Sequence, residues 1–272
     1  MINFSANLSM LFTELPLLDR FEAAKNAGFR AVEIQFPYSE SIDALRAKLD
    51  ETGLQLVLFN VEADDLLIGG EGLAAVPEKC ERFKTALAQT VDYIEVLQPK
   101  AVNVLPGRCM NPSRLDDYLQ TFGDNLRLTA DTFAAFGVNT VFEAINTIDM
   151  PGFIIHSGAQ MLDWLERLEH PNILLQVDIY HLSMMNEDPE AFIRQHPEII
   201  GHIQFADNPG RGQPGTGNID FNRLFNSIRN SGYSGWTGAE YRPVGPTLDS
   251  LNWLEQFQTK NSEKFSARRF CY

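Results

Sequence analysis

Residues 17–36 read LLDRFEAAKNAGFRAVEIQF, two halves with different periods. In the first, Leu17, Leu18, Phe21, Ala24 and Ala27 fall on one stripe at helical spacing, and Gly28 stands where a left-handed residue ends a helix. In the second, AVEIQF (31–36) is short and rich in β-branched and aromatic residues, which reads as a strand. The phrase of amphipathic helix, glycine and strand returns three times: SIDALRAKLDETG (41–53) before LQLVLFN (54–60), LRLTADTFAAFG (126–137) before VNTVFEAIN (138–146), and FNRLFNSIRNSG (221–232) before YSGWTGAEY (233–241).

Working outward, a strand NFSANL (3–8) precedes the first helix. Further helices are expected at about 78–97, 113–136, 157–169, 188–195 and 247–257, with strands near 100–105, 172–178 and 199–206. Ser157 with Gln160 is a capping-box signature, and Pro171 closes the loop after that helix. Alternating strands and helices demand a parallel sheet covered by helices. Eight such units over residues 1–258 predict a single (β/α)8 TIM barrel rather than an open doubly wound sheet. The last stretch, 259–272, reads as a polar C-terminal tail packing through Phe265, Phe270 and Tyr272.

Composition narrows the function. The chain of 272 residues is 44% hydrophobic and 21% charged, as globular domains are. Its net charge of −14 would repel a polyphosphate backbone, so no nucleic-acid partner is expected. Cys80, Cys109 and Cys271 form no CxxC pair, which argues against a disulfide framework or thiolate metal site and fits a reducing cytoplasm. The N-terminus lacks a basic signal-peptide region, and no apolar run approaches the ~20 residues of a membrane span, so no membrane role is expected. Assembly into a homo-oligomer is compatible with all of this.

In a TIM barrel the reactive groups gather at the C-terminal ends of the strands. Four expected strands end in a strong oxygen donor: Glu143 in TVFEAIN, Asp178 in LLQVDIYH, Gln204 in IGHIQFADN and Glu240 in WTGAEY. They fall on the fifth to eighth strands, which neighbour one another. Any one of them could be an ordinary strand-end hydrogen bonder. Three adjacent carboxylates, however, repel unless a cation or proton sits among them, and carboxylates with an amide oxygen suit a hard divalent ion, Mg²⁺ or Mn²⁺. Gln176, two residues before Asp178 on the same strand face, is placed in the layer beneath it. His181, three residues past Asp178, is placed to hydrogen-bond a substrate oxygen or to cap its loop. His156, His170, His196 and His202 lack such neighbours and read as structural.

After the seventh strand comes DNPGRGQPGTGNIDF (207–221). It matches GxGxxG formally, but Pro214 lies inside the match and the next helix starts too late for a dinucleotide site. It is expected instead as a mobile loop bringing the Arg211 fork onto a small anionic substrate, with Arg108 the next candidate for that role. The stretch EADDLLIGGEGLAAVP (62–77) reads as a second lid hinged at Gly69–Gly70.

These residues lie within longer motifs, FSANLSMLFTE, GFRAVEIQFPY, FEAIN…DMPGF, QVDIYH, GHIQFADNPGRGQPGTG and GWTGAEYRP. In that order, through nearly the whole chain, the sequence resembles the hydroxypyruvate isomerase family within the xylose-isomerase-like barrels, which include ketose epimerases. The resemblance implies that Glu143 and Glu240 are paired proton donor and acceptor. It implies metal ligands at Glu143, Asp178, Gln204 and Glu240, although the epimerases usually carry His where this chain has Gln204, and substrate contacts at His181 and Arg211. The implied reaction interconverts hydroxypyruvate and tartronate semialdehyde through an enediolate. The alternative is the same chemistry on 2-oxo-tetronate. A metal-dependent endonuclease on this barrel would need more histidines and a basic face, and a binding protein without catalysis would not need the glutamate pair.

Overall fold

The computed structural model describes residues 1–258; the tail expected at 259–272 lies outside the described residues. Strands β1 (Asn3–Asn7), β2 (Ala31–Ile34), β3 (Gln55–Asn60), β4 (Ala101–Asn103), β5 (Asn139–Glu143), β6 (Ile173–Asp178), β7 (Ile200–Phe205) and β8 (Trp236–Ala239) pair in parallel, each with the next, and β8 closes on β1. Around this (β/α)8 barrel run α1 (Leu17–Asn26), α2 (Ile42–Thr52), α3 (Cys80–Leu97), α4 (Leu115–Ala134), α5 (Gly158–Leu168), α6 (Ile179–Met184), α7 (Pro189–Gln195), α8 (Phe221–Ser231) and α9 (Asn252–Gln258).

Local chemistry sets the element ends. The Ser157 hydroxyl accepts from the Gln160 N–H at 3.2 Å, and Gln160 Oε1 reaches back to the His156 N–H at 2.8 Å, one residue earlier than in the usual capping box. Two differences from the periodic reading stand out. The last helix divides into a 3-10 turn, Thr247–Ser250, and the short α9. A six-residue helix, α6, follows β6 at once, because Asp178 ends the strand and accepts from the N–H groups of Tyr180 and His181 as its N-cap.

Helices bury apolar faces against the outside of the sheet. Phe4 of β1, Phe205 of β7, Phe225 of α8 and Trp253 of α9 meet edge to face, with the Phe205–Trp253 centroids 5.1 Å apart, and so knit the seam where the barrel closes. The inside of the barrel is different. Ser5, Asn7, Glu33, Asn103, Gln176, His202 and Gln204 are all buried there in place of the usual branched aliphatics.

Candidate active site

A cavity of about 1000 Å³ opens at the C-terminal ends of the strands, with Glu143, Gln176, His181, Gln204, Arg211 and Glu240 in its wall. Strand register brings them together: Glu143 pairs with Gln176 across β5 and β6, and Asp178 with Gln204 across β6 and β7. Glu240 follows β8 directly.

The two glutamates are held alike. Glu143 Oε1 accepts from Asn103 Nδ2 at 2.8 Å and Gln176 Nε2 at 3.0 Å, leaving Oε2 without a hydrogen-bond partner among the described residues. Glu240 Oε1 accepts from Asn7 Nδ2 at 3.0 Å and Gln35 Nε2 at 2.9 Å, while Oε2 takes the Arg211 guanidinium at 2.6 Å. Each is thus tethered through Oε1, but only Glu143 keeps its other oxygen unpaired among the described residues, because Glu240 Oε2 is paired with the arginine. Burial, with the nearby charges of Glu240 and Asp178, pushes the Glu143 carboxyl well above its ordinary range. Burial also raises Glu240 and Asp178, against the opposing pull of Arg211.

Asp178 stands behind the cavity wall. One carboxylate oxygen caps α6; the other lies 3.5 Å from Arg211 Nη2 and 3.5 Å from His181 Nε2. Oxygens of Glu143 and Asp178 and a ring nitrogen of His181 lie within 4.8 Å of one another, a spacing open to a metal ion. Hydrogen bonding assigns the imidazole another part. His181 Nδ1 faces the Asn146 backbone N–H at 3.4 Å and the Asn146 Nδ2 at 2.7 Å, and Asn146 Oδ1 is engaged by the N–H groups of Ile148 and Asp149. Nδ1 is therefore an acceptor, Nε2 carries the proton, and the ring donates rather than ligates. Burial, then Arg211, depresses its pKa to about 3, so it stays neutral.

The oxygen set suits a hard divalent ion. Glu143, Asp178 and Glu240 are buried carboxylates at neighbouring strand ends, although Glu240 stands outside the 4.8 Å cluster with Oε2 on Arg211, and the Gln204 carbonyl has one lone pair left after accepting from Gln176 Nε2 at 2.7 Å. Gln176 Oε1 is also buried, with no hydrogen-bond partner among the described residues, the kind of orphan oxygen that a cation or an ordered solvent molecule satisfies.

The loop expected to be mobile carries an internal hydrogen-bond network beneath Arg211. Fully buried Asp207 accepts from four backbone N–H groups along that loop, those of Asn208, Gly215, Gly217 and Ile219, at 2.8–3.1 Å. Gly217 permits the approach, since a Cβ there would lie 2.5 Å from the Asn208 carbonyl oxygen. The guanidinium stacks 5.1 Å from the Tyr180 ring centroid, and its buried Nε has no hydrogen-bond partner among the described residues. Although burial works against its charge, Glu240, Asp178 and Glu143 hold it firmly protonated.

The stretch expected as a second lid is also hydrogen-bonded to its surroundings. Arg108 donates to the carbonyls of Pro151 at 2.7 Å and Gly69 at 3.1 Å, stapling two loops together away from the cavity wall, so it is a poor substitute for Arg211. Asp65 accepts from the Gly72 N–H at 2.9 Å and from Lys79 at 3.0 Å.

The sequence placed Gln176 in the layer beneath, where it donates to Glu143 and Gln204, but did not reveal the acid of that layer. Glu33, at the centre of AVEIQF, is fully buried and hydrogen-bonds Ser5, Asn7, His202 and Gln204. Although burial alone raises its carboxyl, His202 and these hydrogen bonds carry it below the ordinary value. His202, read from the sequence as lacking functional neighbours, is in fact paired with Glu33 at 2.8 Å. The available signal was a lone acid among β-branched residues in a strand of a closed barrel.

A family model described as xylose isomerase-like TIM barrel matches residues 21–257. This chain belongs to that family. Among xylose isomerase-like barrels it is 39% identical over 260 residues to the 2-oxo-tetronate isomerase of Pectobacterium atrosepticum, covering 96% of this chain and 99% of that one. It is 38% identical over 258 residues to the hydroxypyruvate isomerase of Escherichia coli, covering 95% and 100%. A solved structure titled as an AP endonuclease, family 2, from Brucella melitensis superposes with a TM-score of 0.90 at 32% identity, covering 94% and 99%. The family and barrel read from the motifs hold.

Proposed function

We propose that this xylose isomerase-like barrel is an isomerase that interconverts hydroxypyruvate and tartronate semialdehyde. The observation that carries the reading is the pair Glu143 and Glu240, each tethered through Oε1, on one cavity with Arg211. A proton leaves C3 of hydroxypyruvate, an enediolate forms, and a proton returns at C2 while the hydroxyl proton passes from the C3 oxygen to the C2 oxygen. One glutamate takes the first proton and its partner, or the same residue after rotation, delivers the second. His181, donating from Nε2, polarises a substrate oxygen. Arg211, which lines the cavity and pairs with Glu240 through Nη2, brings a guanidinium fork to where the substrate carboxylate would bind. Glu143, Asp178, Glu240 and the Gln204 oxygen would hold Mg²⁺ or Mn²⁺, which as a Lewis acid stabilises the enediolate charge.

Relatives of nearly equal identity bear the names of a three-carbon and a four-carbon isomerase, so 2-oxo-tetronate is the alternative substrate. Assays of both acids side by side test the choice: hydroxypyruvate should show the higher kcat/KM, and a reversed order would reassign the substrate. The endonuclease reading is set aside, because the net charge is −14 and, among the described residues, the only Lys or Arg side chains lining the cavity are Arg211 and Arg242, against the many phosphate contacts DNA requires. No helix among the described residues is long and apolar enough to cross a membrane. With the cysteine usage, this supports action in the cytoplasm on a small anionic hydroxy-oxo acid.

A further inference from the structure

We propose that Glu33 is a positioning residue of this isomerase: an acceptor beneath the cavity that sets the direction of the side-chain amides holding both Glu143 and Glu240. The proposal rests on reading those two as the acid/base pair. Glu33 lies outside the cavity wall and is fully buried, so it acts only through other side chains. Its Oε2 accepts from Ser5 Oγ at 3.0 Å and His202 Nε2 at 2.8 Å; its Oε1 accepts from Asn7 Nδ2 at 3.1 Å and Gln204 Nε2 at 2.8 Å. Four donors converge on two oxygens, so the group offers acceptors only.

An amide has a donor end and an acceptor end, and turning one toward Glu33 turns the other away. Gln204 gives its NH₂ to Glu33 and therefore offers Oε1 to Gln176 Nε2 at 2.7 Å. The Gln176 nitrogen, turned to meet that oxygen, donates also to Glu143 Oε1 at 3.0 Å. On the other branch the Asn7 nitrogen donates both to Glu33 and, at 3.0 Å, to Glu240 Oε1, while its carbonyl accepts from the Ser9 N–H at 3.0 Å. Both branches end on Oε1 of an acid/base glutamate. The place is built for the carboxylate, since a Cβ on Gly238 would lie 2.1 Å from Glu33 Oε2. A glutamine at 33 would accept either polarity. Gln204 and Gln176 could then flip and aim a carbonyl oxygen at Glu143 Oε1, acceptor against acceptor.

The test is Glu33→Gln in the full chain, assayed on hydroxypyruvate with Mg²⁺ or Mn²⁺, with ¹⁵N-glutamine labelling to follow the side-chain NH₂ signals of Gln176 and Gln204. The expected result is a loss in kcat of roughly 10–100-fold, the scale of a misplaced catalytic group, with KM changed by less than about threefold. The NH₂ signals should shift, and Glu33→Gln should add less than its full loss on top of Gln176→Leu, as members of one network do. Retained kcat, unmoved NH₂ signals, or losses that multiply in full would overturn the proposal, the last by assigning Glu33 to the fold alone. If Glu33→Gln does not fold, Gln176→Leu decides: the relay requires a kcat loss of about tenfold or more with the melting temperature kept, and unchanged kcat refutes it. Turnover of neither acid by the unaltered chain would instead sink the isomerase reading, and the NH₂ signals would then decide on Glu33 by themselves.

Discussion

At the scale of single residues the site is a set of charges that the fold holds against their preference. Glu143 is raised well above its ordinary value of 4.5 in the folded chain, while unfolding returns it to that value. Between the two values the folded state carries more protons, so its stability falls as pH rises. Glu143→Gln removes that loss and keeps the acceptor for Asn103 and Gln176. Its kcat should drop by ~10²–10⁴-fold, the range for a general acid/base. In metal-free buffer the variant should be the more stable protein at pH 8, with the advantage fading toward pH 4. Thermal melts across pH check this, and a variant less stable than the parent at pH 8 would show that the carboxylate is not strained. Arg211 makes the complementary case. Arg211→Ala strips the cation from three acids and the clamp from the substrate, so kcat/KM should fall by ~2–5 kcal/mol, and Arg211→Lys should raise KM because an ammonium cannot reproduce the fork. Hydroxypyruvate kinetics untouched in Arg211→Ala would exclude Arg211 as the clamp.

At the scale of elements, strand ends and loops were legible to different degrees. Glu143, Asp178, Gln204 and Glu240 could be picked out because each ends a strand, where periodicity stops and a polar group must have a reason. The capping by Asp178 was not legible, since α6 has only six residues and too little length to show a period. Glu33 stayed hidden for a related reason: within AVEIQF it reads as the polar face of a half-buried strand, and only closure of the barrel turns that face inward. The Gly-rich run 207–221 looked mobile by composition, yet one side chain, Asp207, orders it by collecting four N–H groups that a one-dimensional reading leaves unassigned. Asp207→Asn should therefore loosen the loop. It turns an NH₂ toward N–H donors, leaving buried groups unsatisfied at ~1–3 kcal/mol. KM for hydroxypyruvate should rise more than kcat falls, and hydrogen exchange at Gly215 and Gly217 should quicken. Unchanged exchange there would mean that the loop does not depend on Asp207.

At the scale of the whole molecule, the barrel fixes where chemistry can occur without fixing which chemistry. Related barrels carry the names of isomerases for acids of different length, and a structurally similar one is titled as an endonuclease. The interior of this chain carries a polar stack from Glu33 through Gln204, Gln176 and Asn7 to a pair of glutamates beside one arginine. The most direct test is a proton NMR time course of hydroxypyruvate in D₂O with the purified chain, run with Mg²⁺ or Mn²⁺ and after chelation, beside Glu143→Gln and Glu240→Gln. The account predicts that tartronate semialdehyde appears with the loaded parent, slows or stops on chelation and returns on adding the ion, and is nearly absent with either variant. Turnover at the parent's rate in both glutamine variants would contradict it.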